Sequence, residues 1–226
     1  NTYLNQSTDV LSVQPYHLTN KLYDQLSLPF NLIQLAANEV TTYKGKAFAL
    51  YGPLILIPKK IYEDIGRHYN VRNKVIEDVE LGILLNKNGY TFKSYLGKDS
   101  IRFRMYPNGI KSLIEGWTKN IAAGATKTNP LVIFMIFLFI ASSLGSFTRL
   151  VISSVQGNIL LICIFLGLYI FWIIRLYLIS INVGKFKKYS FIFYPLILIS
   201  FVCIYLLSAF KKVFKIPIKW KNRKIK

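Results

Sequence analysis

The sequence predicts an α/β lobe continued by helices that anchor it in a membrane. Three observations carry this: apolar runs alternating with turn residues over residues 1–128, three uncharged apolar runs after Leu131, and a charge divided unevenly between these two parts. Of the 226 residues, 53% are hydrophobic and 15% aromatic, and 29 Lys and Arg face 10 Asp and Glu. That is too apolar for a disordered polycation, and nucleic acid is not the partner it predicts. All ten acids lie between Asp9 and Glu115 together with 14 of the bases, whereas residues 116–226 hold 15 bases and no acid. One chain joins two physically different objects.

Within the lobe, Val10 to Gln14 reads as a strand closed by Pro15. Tyr23 to Leu35 has helical spacing, with Leu26, Phe30 and Ile33 on one face and a kink expected at Pro29. Ala47 to Ile57 is a second strand region around Gly52 and Pro53, and Lys59 to Arg67 is a short helix. Val75 to Leu85 is a helix opened by Glu77, Asp78 and Glu80 and ended near Gly89. Tyr90 to Tyr95 and Ser100 to Met105 follow as strands, joined by a Gly97-Lys98-Asp99 turn. Residues 1–108 thus form the lobe. In 109–128, Ile110, Leu113, Ile114 and Trp117 recur at helical spacing, which predicts an amphipathic helix in the membrane interface. Such a helix either anchors through Trp117 and Lys119 or turns Glu115 and Trp117 toward the lobe.

Leu131 to Thr148 is eighteen residues without a charge, Asn158 to Ile174 is seventeen, and Tyr189 to Phe210 is twenty-two. A helix needs roughly 20 apolar residues to cross ~30 Å of hydrocarbon, so about three transmembrane helices are expected, near 131–149, 158–182 and 189–210. Arg175, the one charge deep in these spans, offers no ion pathway, which argues against a transporter. Lys185, Lys187 and Lys188 on one side of the last run, and the basic tail 211–226 on the other, both call for the cytoplasmic side. Either the positive-inside rule is broken, or the last run, with Pro195 in it, re-enters without crossing. The tail interleaves eight bases with Phe214, Ile216, Ile218 and Trp220, a pattern suited to anionic lipids. Cys163 and Cys203 sit inside apolar runs and indicate no disulfide framework.

The acid cluster has two readings. Glu77, Asp78 and Glu80 stabilise a helix N-terminus through its macrodipole, or one carboxylate stands at a pocket rim as a general base or hydroxyl-positioning group. Spacing does not separate them. Arg102 and Arg104 alternate on one strand face, either meeting a diphosphate or forming a solvated edge. His17 and His68 have no Cys or carboxylate in ligand register, so no zinc site is expected. Neither a Gly-rich phosphate loop nor a Ser/His/Asp nucleophile pattern occurs.

The ordered set Gly52-Pro53, Tyr62 to His68, Ile76-Glu77-Asp78-Val79-Glu80-Leu81-Gly82, Met105-Tyr106-Pro107-Asn108-Gly109 and Glu115-Gly116-Trp117-Thr118-Lys119-Asn120 resembles membrane-bound family 2 glycosyltransferases, most closely those of carotenoid biosynthesis. The resemblance covers nearly the whole chain, the basic tail included. It implies that residues 1–108 are the acceptor half of a GT-A-like catalytic domain. It further implies inverting transfer of a hexose, glucose from UDP-glucose, to a lipid-like acceptor such as a carotenoid carboxylate. By the same resemblance Asp78 is the catalytic base with Glu77 beside it, and His17 borders the acceptor pocket. Gly52, Pro53, Arg102, Arg104, Glu115 and Trp117 are the further residues it places around the substrates. The catalytic part is expected on the cytoplasmic face of the cell membrane.

Two departures qualify this. The Gln-x-x-Arg-Trp element of processive relatives is absent, because Leu113 and Gly116 precede Trp117, which argues for single transfer. The Asp-x-Asp motif that holds a divalent metal, Mg or Mn, on the nucleotide sugar is also absent. The chain is therefore expected to be the C-terminal part of such an enzyme, the metal ligands lying upstream. A non-catalytic anchor or a remnant without the nucleotide-binding half is the alternative.

Overall fold

A computed structural model describes residues 10–38, 49–98, 100–220 and 223–225. The start of the second expected strand region at Ala47, Asp99 of the expected turn, and Lys221, Asn222 and Lys226 of the tail lie outside them. Strand β1 (Val10–Gln14) is buried along its whole length. It pairs antiparallel with β3 (Ile55–Leu56) and parallel with β4 (Phe92–Leu96), Val10 opposite Phe92 and Gln14 opposite Leu96. Among the described residues of the Ala47–Ile57 region, only Ile55 and Leu56 are extended as a strand. Past Pro15 the chain continues as β2 (Tyr16–Leu18), which pairs in parallel with β5 (Arg102–Phe103) and with β6 (Gly184–Lys185). Strand β6 belongs to the second half of the chain, so the second sheet stitches the two halves together.

A 3-10 turn over Leu22–Ser27 leads into α1 (Leu28–Ala37). Pro29 occupies the first turn of α1, where its missing N–H is not needed, so the proline starts a helix where the sequence predicts a kink. After α2 (Lys59–Asp64) and a 3-10 turn at Arg67–Val71, α3 (Glu77–Lys87) begins on the acid cluster. Beyond the end of α3, Gly89 takes φ +79°, a left-handed conformation that suits glycine at a helix end. Leu81 and Leu85 of α3 are fully buried with Val10, Leu50 and Ile65 in the core of the lobe.

Helix α4 (Ile110–Ala125) forms where its apolar spacing predicts. Leu113 and Trp117 of its apolar face pack with Phe30 of α1 and with Phe201 and Ile204 of a later helix, while Ile110 at its start is 50% exposed. Trp117 is therefore a core residue, in keeping with the reading that turns it toward the protein rather than with anchoring through its ring.

Three helices are long and apolar enough to cross a membrane: α5 (Pro130–Gln156), α6 (Ile159–Ser180) and α8 (Tyr194–Val213). Asn129 caps α5 by accepting from Leu131 N at 2.9 Å, and Asn158 caps α6 by accepting from Leu161 N at 3.1 Å. Between them Gly157, at φ +68°, closes α5 and allows an immediate antiparallel return. The expected span 189–210 is divided at Phe193 into α7 (Lys188–Ile192) and α8, because Pro195 in the first turn of α8 starts that helix. Helix α8 is tied down at both ends. Tyr194 donates to the Ser143 carbonyl at 2.9 Å, Ser208 donates to the Thr118 carbonyl at 2.5 Å, and Lys212 donates to Thr126 Oγ1 at 3.2 Å. Cys163 and Cys203 are free thiols. The tail folds back as a hairpin of β7 (Ile218–Trp220) and β8 (Arg223–Ile225), with β7 beside α4.

Candidate active site

Asp78 is the second residue of α3 and is half-buried. Its Oδ1 accepts from Val79 N at 2.9 Å and its Oδ2 from Gly52 N at 3.1 Å. The second bond depends on a turn at Tyr51 to Leu54, in which Leu54 N donates to the Tyr51 carbonyl at 3.3 Å. Ser12 of β1 clamps that turn: its hydroxyl accepts from Tyr51 N at 2.5 Å and donates to the Tyr51 carbonyl at 3.2 Å. A Cβ on Gly52 would stand 3.0 Å from Asp78 Oδ2, so the glycine is what lets the carboxylate come so close. Pro53 completes the turn on the exposed side. Burial pushes the Asp78 carboxyl above the usual carboxylate range, and the charge of Glu77 adds to this, while the Val79 and Gly52 N–H groups hold it back.

The neighbouring acids reach across to the α4 side. Glu77 Oε2 lies 3.8 Å from Lys119 Nζ, and Glu80 Oε1 lies 2.9 Å from Lys127 Nζ. Glu80 thus ties α3 to the segment after α4, whereas Glu77 and Asp78 border open space. That space is a cavity of about 670 Å³. Its polar end is formed by Tyr51, Glu77, Asp78, Lys119 and Asn120. From there it runs between α5 and α8. Ile133, Phe137, Ile140 and Leu144 line it from one face of α5, with Phe201, Val202 and Tyr205 opposite. From Ile133 to Leu144 the helix rises by eleven residue steps, about 16 Å of apolar wall. Phe137 and Leu206 remain well exposed, so the wall opens sideways where a bilayer would lie.

Trp117 lines the same cavity. It is 3% exposed, stacked on Phe30 at 4.4 Å and edge-on to Tyr106 at 5.7 Å. Gly116 is required for this packing, because a Cβ there would stand 2.3 Å from the Tyr106 ring. Glu115 is half-buried and is not among the residues lining the cavity.

Three other expected site residues lie elsewhere. His17 is 2% exposed between Phe103 and Phe186, its centroid 5.7 and 5.9 Å from theirs. Burial lowers its pKa to about 4; the Asp24 charge raises it and the Arg104 charge lowers it further, so the ring is neutral near pH 7. Arg104 is bound to buried Asp24, Nε to Oδ2 at 3.0 Å, and donates through Nη2 to the Tyr23 hydroxyl at 2.9 Å. Asp24 Oδ2 also accepts from Asn20 N and Lys21 N, each at 2.8 Å. Burial would raise the Asp24 carboxyl, but these N–H groups and the guanidinium together hold it below its usual range. Arg102 is exposed on β5, whereas Arg104 lies beyond the end of the strand, so the two do not share a strand face. Neither arginine nor His17 borders the cavity.

Sequence comparison then bears on the site. The chain is 34% identical over 152 residues to the 4,4'-diaponeurosporenoate glycosyltransferase of Staphylococcus haemolyticus, covering 66% of this chain and 40% of that protein. It is 30% identical over 218 residues to the protein of the same name from Staphylococcus aureus, covering 95% of this chain and 58% of that protein. The chain is a homologue of these glycosyltransferases. It spans less than two thirds of their length. No family model and no solved structure matches it.

In this glycosyltransferase homologue, no three His, Cys, Asp or Glu side chains converge among the described residues. Among the described residues, the divalent metal implied by the resemblance finds no ligand set. The sequence reading reached Asp78, Glu77 and Trp117 but missed Ser12, Tyr51 and the cavity-facing role of Lys119. Ser12 and Tyr51 are separated by 39 residues and meet only in the folded sheet.

Proposed function

We propose that the chain provides the acceptor-binding part of a membrane glycosyltransferase. It would transfer a hexose from a nucleotide sugar, UDP-glucose by the resemblance, to the carboxylate of a long apolar acceptor such as a carotenoid acid. One observation supports this above the rest: a single cavity joins the Glu77–Asp78 edge to an apolar trough along α5 and α8. A rigid, water-insoluble chain lies in the trough, and its polar end reaches the acids without leaving the bilayer.

In the transfer, a carboxylate oxygen of the acceptor attacks the anomeric carbon from the face opposite the diphosphate. The new C–O bond forms as the bond from that carbon to the diphosphate oxygen breaks, and the nucleoside diphosphate departs with the electron pair. The configuration at the carbon inverts. A carboxylate is already ionised near pH 7, so no proton has to be removed and Asp78 acts by positioning. A hydroxyl acceptor would need Asp78 as general base. The exposed Lys185, Lys187 and Lys188 before α8, and the exposed Lys212 in its last turn with Lys215 just after it, form basic flanks suited to anionic lipid headgroups.

The cavity itself provides the test. Gly124 lines it, and a Cβ there meets nothing within 4 Å, so Gly124→Phe brings a bulky ring to the cavity wall from a position with room for its first carbon. In membranes carrying the full-length protein and labelled UDP-glucose, this variant is expected to lose transfer to a carotenoid acid while keeping UDP binding. Undiminished transfer in Gly124→Phe rules the trough out as the acceptor site.

A further inference from the structure

We infer that Lys119 holds the carboxylate of the acceptor at the polar end of the cavity, and so makes the site prefer an ionised acid to a neutral alcohol. The inference rests on the proposed reading of the cavity as the acceptor site. Among the described residues, the charged groups lining the cavity are Glu77, Asp78 and Lys119. A third carboxylate brought beside two acids meets repulsion unless a cation stands with them. Lys119 is that cation. Its side chain is 14% exposed, so its stem runs along the wall and delivers the ammonium to the acids.

The Lys119–Glu77 separation of 3.8 Å is longer than a direct charge-assisted hydrogen bond. The ammonium stands with the two acids at the cavity wall, so a carboxylate entering there meets its positive charge. The backbone beneath it is fixed from both sides. Trp117 is stacked on Phe30, and the Thr118 carbonyl accepts from Ser208 of α8. Lys119 therefore presents its charge from a rigid helix. Burial pushes the Asp78 carboxyl above its usual range.

Two polyene probes with one carbon skeleton isolate the charge: retinoate and retinol. The full-length protein is placed in nanodiscs at pH 8, with empty nanodiscs as the partition control, and binding is followed by quenching of tryptophan fluorescence. Lys119→Gln is expected to weaken retinoate about tenfold to hundredfold, the loss expected for a hydrogen bond to a charged group. Retinol should stay within about twofold, which also shows that the variant is folded. Lys119→Arg should restore most of the retinoate affinity, and Gly124→Phe should abolish binding of both probes. Equal losses for retinoate and retinol, or no loss of retinoate, overturn the role of Lys119 while leaving the cavity as the acceptor site. Lost UDP binding with retinoate unaffected would assign Lys119 to the donor instead. Failure of the unmodified protein to bind either probe defeats the reading of the cavity and the role of Lys119 together.

Discussion

The lobe holds two clusters of opposite charges, and they differ in how completely they are satisfied. Around Asp24, the carboxylate takes Asn20 N, Lys21 N and the Arg104 guanidinium, and Arg104 also reaches the Tyr23 hydroxyl. That hydroxyl in turn accepts from Gly109 N at 3.1 Å and donates to the Tyr106 carbonyl at 3.0 Å. Both Asp24 carboxylate oxygens are engaged, and none of Asp24, Arg104 and Tyr23 lines the cavity beside Asp78. Around Asp78, two backbone N–H groups hold the carboxylate, but it borders about 670 Å³ of open space that Lys119 also lines. A closed network fixes the loop that launches α4, whereas an open one leaves capacity for a ligand. Residue type alone does not distinguish them, since each contains an acid and a base.

The sharpest break in this comparison comes from the closed cluster. Arg104→Leu leaves the buried Asp24 carboxylate without its cation and should cost about 3 kcal/mol of stability, in line with the loss of one partner from a buried pair. Thermal unfolding in detergent measures this, and the affinity for retinol of the protein that remains folded should be unchanged. A loss of retinol binding at full stability would mean that the Arg104 cluster belongs to the site after all.

For the open cluster the expectation is reversed. Asp78→Asn should leave the fold as stable at pH 8, or more so, because burial disfavours the charged form. In the full-length enzyme it should cut transfer to a hydroxyl acceptor by about a hundredfold and spare a carboxylate acceptor. Gly52→Ala sharpens the same point more gently. The added Cβ presses on Asp78 Oδ2 from 3.0 Å without a backbone conformation that excludes alanine, so hydroxyl transfer should fall by less than in Asp78→Asn at near-normal stability. Equal losses with both acceptors would show that Asp78 is not a proton acceptor.

The smallest effect is a pH dependence in the closed region. His17 is held near pKa 4 when folded against 6.5 in its unperturbed state, so between these values the unfolded chain binds more protons than the folded one. Its contribution to stability is present above pH 6.5 and is lost as pH falls toward 4. Asp24, with its lowered carboxyl, adds a loss of the same sign at lower pH, while Asp78 acts with the opposite sign. The difference in unfolding free energy between the unmodified protein and His17→Phe isolates the histidine. It should slope upward from pH 4 to 6.5 and be flat above, and a flat difference throughout refutes the buried neutral histidine.

Much of the architecture was legible because it depends on local spacing. The strand at Val10–Gln14, the helix opened by Glu77 and the long apolar helices all follow from periodicity and capping chemistry. Pro29 and Pro195 were harder to read. A proline marks a discontinuity, but whether it kinks a helix or begins one depends on which neighbours bury the flanking residues. The site was legible in part: Asp78 and Glu77 stood out as acids before an apolar run, while Arg104 and His17 stood out equally well and proved to be internal partners.

By itself, then, the sequence determined the division into a mixed-charge lobe and an apolar, cationic second half, since hydrophobic length and charge are properties of a segment. Tertiary structure alone decided which groups share a space. It placed Ser12 beneath the Tyr51 turn, turned Trp117 inward, brought Lys119 to Glu77, tied the basic segment before α8 to the lobe through β6, and tied the end of α8 to Thr126 through Lys212. These pairings join residues tens to more than a hundred positions apart. They depend on how whole elements fill one volume, which no local pattern encodes.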